Sequence, residues 1–186
     1  MADREEILQA VKPGDLAIDD FTVFSNRLAR SRNLLFIADN AGEAVLDRLF
    51  LREIRKKHPE IRIHYGVRSR PIINDIIASD ARYINIHKLA DIVESGSTLA
   101  GTIIHRCNRV FQEIYHSADM VIAKGQGNFE TLESRVRNIL FLFKIKCRVV
   151  SRHTGLPRDS LLFAFRESIP RTGDQKNGKK NHPIPS

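Results

Sequence analysis

Several residue types that carry common chemistries are scarce in this chain of 186 residues, which has no tryptophan, three tyrosines and two cysteines. Proteins that grip single-stranded nucleic acid interleave basic residues with aromatic stacking platforms, and such a surface is missing here. Nucleic acid is therefore not the expected partner, despite a formal net charge of +8. The 30 Lys and Arg residues outnumber the 22 Asp and Glu but are spread rather than striped, a bias that favours small anionic, phosphorylated partners. Cys107 and Cys147 lie in apolar-patterned segments with no CxxC spacing, which excludes a disulfide framework and fits reduced core thiols. None of the seven histidines pairs as HxxxH with a carboxylate, so a zinc-protease or zinc-finger centre is not indicated. No apolar run approaches the ~20 residues of a membrane span. The start, Met1 to Glu6, is charged and lacks an apolar signal core. The expectation is a cytoplasmic protein with no membrane association.

Hydrophobic residues make up 42% of the chain, enough for a packed core. The stretch around which the rest is organised runs from Asn33 to Glu43. An apolar run, Leu34, Leu35, Phe36, Ile37 and Ala38, is followed at once by Asp39, Asn40, Ala41, Gly42 and Glu43. Beyond it Leu46, Leu49, Phe50 and Ile54 recur at helical spacing, so the segment reads as buried strand, polar turn and amphipathic helix. Ligands of open α/β sheets bind at such turns, outside the carboxyl ends of strands. Asp39 or Asn40 could equally be an N-cap, and Asn40 a turn former.

In chain order, residues 3–11 form a helical candidate stopped by Pro13 and Gly14, and Asp19 and Asp20 can cap a helix carrying Phe21, Phe24 and Leu28. The strand of residues 33–38 leads to the helix that ends near Lys57, and residues 61–67 alternate as a second strand. Strand, helix and strand in this order predict a right-handed βαβ unit and a parallel sheet. A short helix is expected near Ile72, containing Asn74 and Asp75, followed by strands over residues 83–86 and 91–94. The helix after the Ser95–Thr98 turn carries Ile103, Cys107, Val110, Phe111 and Ile114. Residues 119–123, 139–143 and 148–150 read as strands, and from about Arg166 the pattern dissolves into a basic tail expected to be disordered. The expected division is a helical segment over 1–32, an α/β domain over 33–165 and the tail over 166–186.

Three turns then carry the chemistry: Asp39-Asn40, Asn74-Asp75 and Lys124 to Glu130. A parallel sheet gathers such turns on one edge. Asp39, Asn40 and Asp75 present hard oxygen donors suited to Mg²⁺ or Mn²⁺. Lys124 and the Gly125-Gln126-Gly127 turn offer a cation and backbone N–H groups to a phosphate. Glu43 and Glu130 could be first-turn carboxylates that complement a helix dipole.

The blocks Asp39-Asn40-Ala41-Gly42-Glu43, Pro71-Ile72-Ile73-Asn74-Asp75, Ser95-Gly96-Ser97 and Ala123 to Leu132 resemble the signatures of the damage-control phosphatases, a family first catalogued as domain of unknown function eighty-nine. The resemblance covers roughly residues 16 to 163. It implies a three-layer α/β/α fold with a mostly parallel, Rossmann-like sheet. It also implies metal-dependent phosphomonoesterase activity on small phosphorylated metabolites such as sugar phosphates or phosphopantetheine-like compounds. Carried over position by position, Asp39, Asn40 and Asp75 are the expected ligands of Mn²⁺, Mg²⁺, Co²⁺ or Ni²⁺. Lys124 is expected at the phosphate with Gly125, Gln126, Gly127, Asn128 and Glu130, as is Lys146, with Lys144 as its rival. The chain departs from the family pattern at Arg68-Ser69-Arg70, where glycines are usual, and at Ile76-Ile77, where a threonine is common. Family members also carry a helical domain before the Asp-Asn strand, over the active site, for which the 32 residues preceding Asn33 leave little room. Weak activity at an open site is one expectation, and a non-catalytic metal- or phosphate-binding paralogue or fragment is the alternative.

Overall fold

A computed structural model describes residues 16–133 and 139–172, and the helix expected over residues 3–11 lies outside them. The strands are β1 (Leu16–Asp19), β2 (Asn33–Ile37), β3 (Arg62–Val67), β4 (Asp91–Glu94), β5 (Met120–Lys124), β6 (Ile139–Lys144) and β7 (Leu161–Phe165). They form one sheet in the order β1-β7-β6-β5-β2-β3-β4, and only β6 and β7 are antiparallel neighbours. The helices are α1 (Phe21–Leu28), α2 (Ala44–Lys57), α3 (Ala78–Tyr83), α4 (Arg109–Ser117), α5 (Gln126–Leu132) and α6 (Arg148–Thr154). The fold is the expected α/β class with a mostly parallel sheet. Among the described residues no helix is long and apolar enough to cross a membrane.

After β1 at the edge, the chain enters the middle of the parallel part at β2 and winds out in two directions. From β2 it goes through α2 to β3 and β4, then returns on the other side to β5 and β6. Right-handed crossovers of opposite direction put their helices on opposite faces of the sheet. Leu34 and Phe36 accordingly pack with α1, α2 and α3, whereas Leu35 and Ile37 pack with α4, α5 and α6. The order reverses between β2 and β5, so their carboxyl ends open a crevice, the usual ligand position of such sheets.

Several local expectations give way. Residues 83–86 are not a strand: they end α3, and Asn85 takes a left-handed turn (φ 62°) into a 3-10 turn over Ile86–Lys88. Their alternation is short, and tertiary packing overrides β-propensity over so few residues. Residues 148–150 begin α6, whose C-cap is Gly155 at φ 71°. The segment of Ile72 to Asp75 is a turn rather than a helix, and Ile103 to Cys107 hold a 3-10 turn ahead of the shorter α4. Strands β1 and β7 are unanticipated elements, β1 pairing with β7 at the sheet edge. Residues 166–168 form a 3-10 turn, Ile169 is 3% exposed, and Thr172 N–H donates to the His153 carbonyl at 3.0 Å. This stretch belongs to the folded body; the rest of the expected tail, from residue 173, lies outside the described residues.

Candidate active site

At the carboxyl end of β2 the chain leaves the sheet with Asp39 and Asn40. The Asp75 turn folds back onto it: Asn40 and Asp75 form an antiparallel bridge, Ala41 N–H donates to the Asn74 carbonyl at 2.8 Å, and Ile76 N–H donates to the Asp39 carbonyl at 2.8 Å. Two turns far apart in the sequence, at Asp39 and at Asp75, are thereby held side by side. Holding this turn puts Ile73 at φ 49°, a conformation costly for a β-branched residue, while its side chain is 92% exposed. Burial pushes the Asp39 carboxyl up to about 6, helped by the Asp75 and Glu43 charges and opposed by Arg68 and Lys146. The Asn40 side-chain oxygen accepts the Gly42 N–H at 2.7 Å, so Asn40 does form a turn, and a carbonyl oxygen keeps a second lone pair.

The β5 turn closes the third side. Gly125 has φ 81°, and a Cβ built on it would lie 2.0 Å from Asp39 Oδ2, so only glycine fits there. Asn128 on α5 is fully buried and donates to the carbonyls of Ala38 at 3.2 Å and Lys124 at 2.7 Å, tying the ends of β2 and β5 together. Gly127 packs on Gly101, whose added Cβ would meet the Gly127 carbonyl oxygen at 2.5 Å.

Strand phase sets the direction of Lys124. Side chains alternate along a strand, and Lys124 is in phase with Met120 and Ile122, which face α2. Its amine bonds Asp47 at 2.9 Å and Glu43 at 3.0 Å. Burial works to lower the Lys124 pKa, but Asp47 and Glu43 together raise it, so the amine stays charged. Asp47 also accepts from the Tyr65 hydroxyl at 2.9 Å. Lys144 is taken up by Asp159 at 2.8 Å, whereas the Lys146 charge acts on Asp39. The Lys146 backbone is placed by Gln126, whose Oε1 accepts the Lys146 main-chain N–H at 2.7 Å and whose Nε2 donates to Glu130 at 2.7 Å. Glu130 is exposed and bonds within α5.

Sequence reasoning missed Asp47, Tyr65, Thr102 and Arg68. Asp47 and Tyr65 were findable, because α2 periodicity turns Asp47 inward with Leu51 and strand phase turns Tyr65 inward with Ile63 and Val67. Arg68 follows β3 directly, is 3% exposed, and donates from Nε to Asp75 Oδ2 at 2.7 Å. Nothing local marks Thr102 as its partner, since the two are brought together by loops alone.

Among the described residues no group of three or more His, Cys, Asp or Glu could hold a metal ion. The smaller donor set to weigh against a divalent ion is the Asp39 and Asp75 carboxylates beside the Asn40 amide. Their chemistry fits one: the donors are all hard oxygens, and two carboxylates crowd each other in a partly dehydrated place.

A family model described as the damage-control phosphatase ARMT1-like domain matches residues 2–162. The damage-control phosphatase PH1575 of Pyrococcus horikoshii is 34% identical over 161 residues, 86% of this chain and 56% of that protein. The uncharacterized protein MJ0202 of Methanocaldococcus jannaschii is 34% identical over 82% of this chain and 51% of its own length. A damage-control phosphatase of Archaeoglobus fulgidus is 33% identical over 68% of this chain and 44% of its own. The crystal structure of the Pyrococcus horikoshii DUF89 family protein superposes with a TM-score of 0.82, covering 86% of this chain and 55% of that one. The chain thus spans about half the length of the relatives it matches. With the sheet order, the Asp-Asn turn and the lysine-glycine turn in place, this chain belongs to the damage-control phosphatase ARMT1-like family.

Proposed function

We propose that the chain is a metal-dependent phosphomonoesterase that acts in the cytoplasm on small phosphorylated metabolites, sugar phosphates or phosphopantetheine-like compounds among them. The observation that carries this reading is the bridge of Asn40 to Asp75, which sets the Asp75 charge against Asp39 beside the Gly125 turn, at the place where the sheet order reverses. Asp39, Asn40 and Asp75 would hold Mn²⁺, Mg²⁺, Co²⁺ or Ni²⁺. Once bound, such an ion supplies positive charge to phosphoryl oxygens without moving a proton.

The chain's own residues do the rest. The Gly125 N–H is spent on the Leu142 carbonyl at 2.9 Å, leaving those of Gln126 and Gly127 in the first turn of α5 for an anion. Lys146, whose backbone N–H is held by Gln126, brings a positive charge that acts on Asp39. Preorganised donors of this kind stabilise charge that develops on transferred phosphoryl oxygens. Lys124 serves the site through Glu43, which it fixes at the mouth of the Asp39 turn. Glu130 acts through Gln126, and Asn128 holds the two strand ends at their spacing.

The test is hydrolysis of p-nitrophenyl phosphate and of a panel of phosphorylated metabolites, with and without Mn²⁺, beside an Asp39→Ala control. Metal-dependent turnover in the wild type alone is the expected result. Turnover equal to the control across the panel would instead favour a non-catalytic binding protein.

A further inference from the structure

Arg68 is buried at the site, and neither the metal ligands nor the phosphate contacts account for it. Its side chain is 4% exposed, and its guanidinium meets three different partners. Nε donates to Asp75 Oδ2 at 2.7 Å, Nη1 to Thr102 Oγ1 at 3.1 Å, and Nη2 to Asn128 Oδ1 at 3.5 Å. The Thr102 hydroxyl in turn donates to Asn128 Oδ1 at 2.8 Å. Asn128 donates onward to the carbonyls of Ala38 and Lys124. One hydrogen-bonded path therefore runs from the Asp75 carboxylate to the ends of β2 and β5.

Withdrawing a guanidinium from water is costly, and the cost is offset only where its donors meet well-placed acceptors. Here the acceptors come from two loops, at Asp75 and Thr102, and from helix α5 at Asn128. The planar fork can face all three at once because its donors are fixed relative to one another, which a lysine ammonium cannot reproduce. The partner set leaves Asp75 Oδ2 engaged by the guanidinium.

We infer that Arg68 is a positioning residue for Asp75: it occupies Oδ2 and orients the carboxylate so that Oδ1 serves a divalent cation. The inference rests on the reading of Asp75 as a metal ligand given above. The alternative use of the same contact is competition, in which the guanidinium stands in for the cation. The two differ in what a lysine does at the position. Arg68→Lys keeps the positive charge, and so any competition, but loses the fork.

The experiment is calorimetric titration of the full chain with Mn²⁺, which needs no turnover. Arg68→Lys is expected to bind Mn²⁺ about tenfold to a hundredfold more weakly than wild type, the usual loss when the partner of a metal ligand is altered. Thr102→Val, which keeps the shape but removes the hydroxyl anchor, is expected to weaken binding by a smaller factor. In the Arg68→Lys, Asp75→Asn double variant, affinity is expected to equal that of Asp75→Asn alone, because the fork has no carboxylate left to orient. Unchanged or tighter binding by Arg68→Lys with wild-type binding intact would overturn the inference and leave the metal reading standing. Losses that simply add in the double variant would do the same, showing a general loosening of the fold. If Arg68→Lys does not fold, Thr102→Val decides, with wild-type affinity counting against the inference. A wild-type chain that binds no Mn²⁺ would remove the metal reading and the inference together.

Discussion

Gly125 shows most directly how one residue decides the site. A methyl group there would stand 2.0 Å from Asp39 Oδ2 on a backbone at φ 81°. Gly125→Ala should cost on the order of 1–3 kcal/mol for the conformation alone, and it should displace Asp39. Denaturant melts would read the first effect and loss of the Mn²⁺-induced stabilisation the second; a variant with normal metal response would show that the turn relaxes around the methyl. His64 makes a separate prediction away from the site. It is 8% exposed on β3, its Nδ1 has no hydrogen-bond partner among the described residues and lies 3.9 Å from Asp91 Oδ2, and burial, then Arg62, lowers its pKa against the pull of Asp91. The folded chain thus takes up this proton less readily than the unfolded chain. Stability is complete above the ordinary histidine value of 6.5 and is lost as pH falls through the lower folded value. His64→Gln should flatten the fall in unfolding free energy between pH 7 and pH 5, and an unchanged slope would assign the acid sensitivity to another group.

At the scale of elements, α2 and β5 are joined across the first core layer by Lys124, Asp47 and Tyr65. Asp47 is 3% exposed and the Lys124 side chain 12% exposed, so removing the amine strands a carboxylate in the interior. Lys124→Met should destabilise the fold by about 3–5 kcal/mol, the range for breaking a buried pair from one side. Because strand phase turns Lys124 towards α2, the Mn²⁺ response should survive in whatever fraction folds. Abolished metal binding with normal stability would mean that the amine turns to the ligand instead. The same phase argument shows what was legible beforehand. Strand β2, helix α2 and strand β3 follow from an apolar run, a helical repeat and an alternation, each long enough for local signals to agree. The short elements α3 and α6 did not, because a few residues carry too little periodicity to outweigh packing.

For the whole molecule, the sheet edge depends on the C-terminal residues that follow β7. Ile169 is buried in the second core layer, Arg171 reaches Glu133 at 3.3 Å, and Thr172 bonds the His153 carbonyl. Ending the chain after Glu167 should cost about 2–5 kcal/mol, the range for deleting a buried aliphatic side chain, and an unmoved unfolding midpoint would deny Ile169 that role. The amino-acid sequence by itself determined the α/β class, the position of the Asp39 turn and the oxygen chemistry of Asp39, Asn40 and Asp75. Those depend on local periodicity and on residue type, which a linear string displays. Only the tertiary structure shows that the Lys124 amine bonds Glu43 and Asp47, that Lys144 bonds Asp159 while the Lys146 charge reaches Asp39, and that Arg68 grips Asp75. Each of these is settled by which loops meet beyond the ends of β2, β3, β5 and β6. That meeting is set by strand order and crossover direction, properties of the assembled sheet that no single stretch of sequence contains.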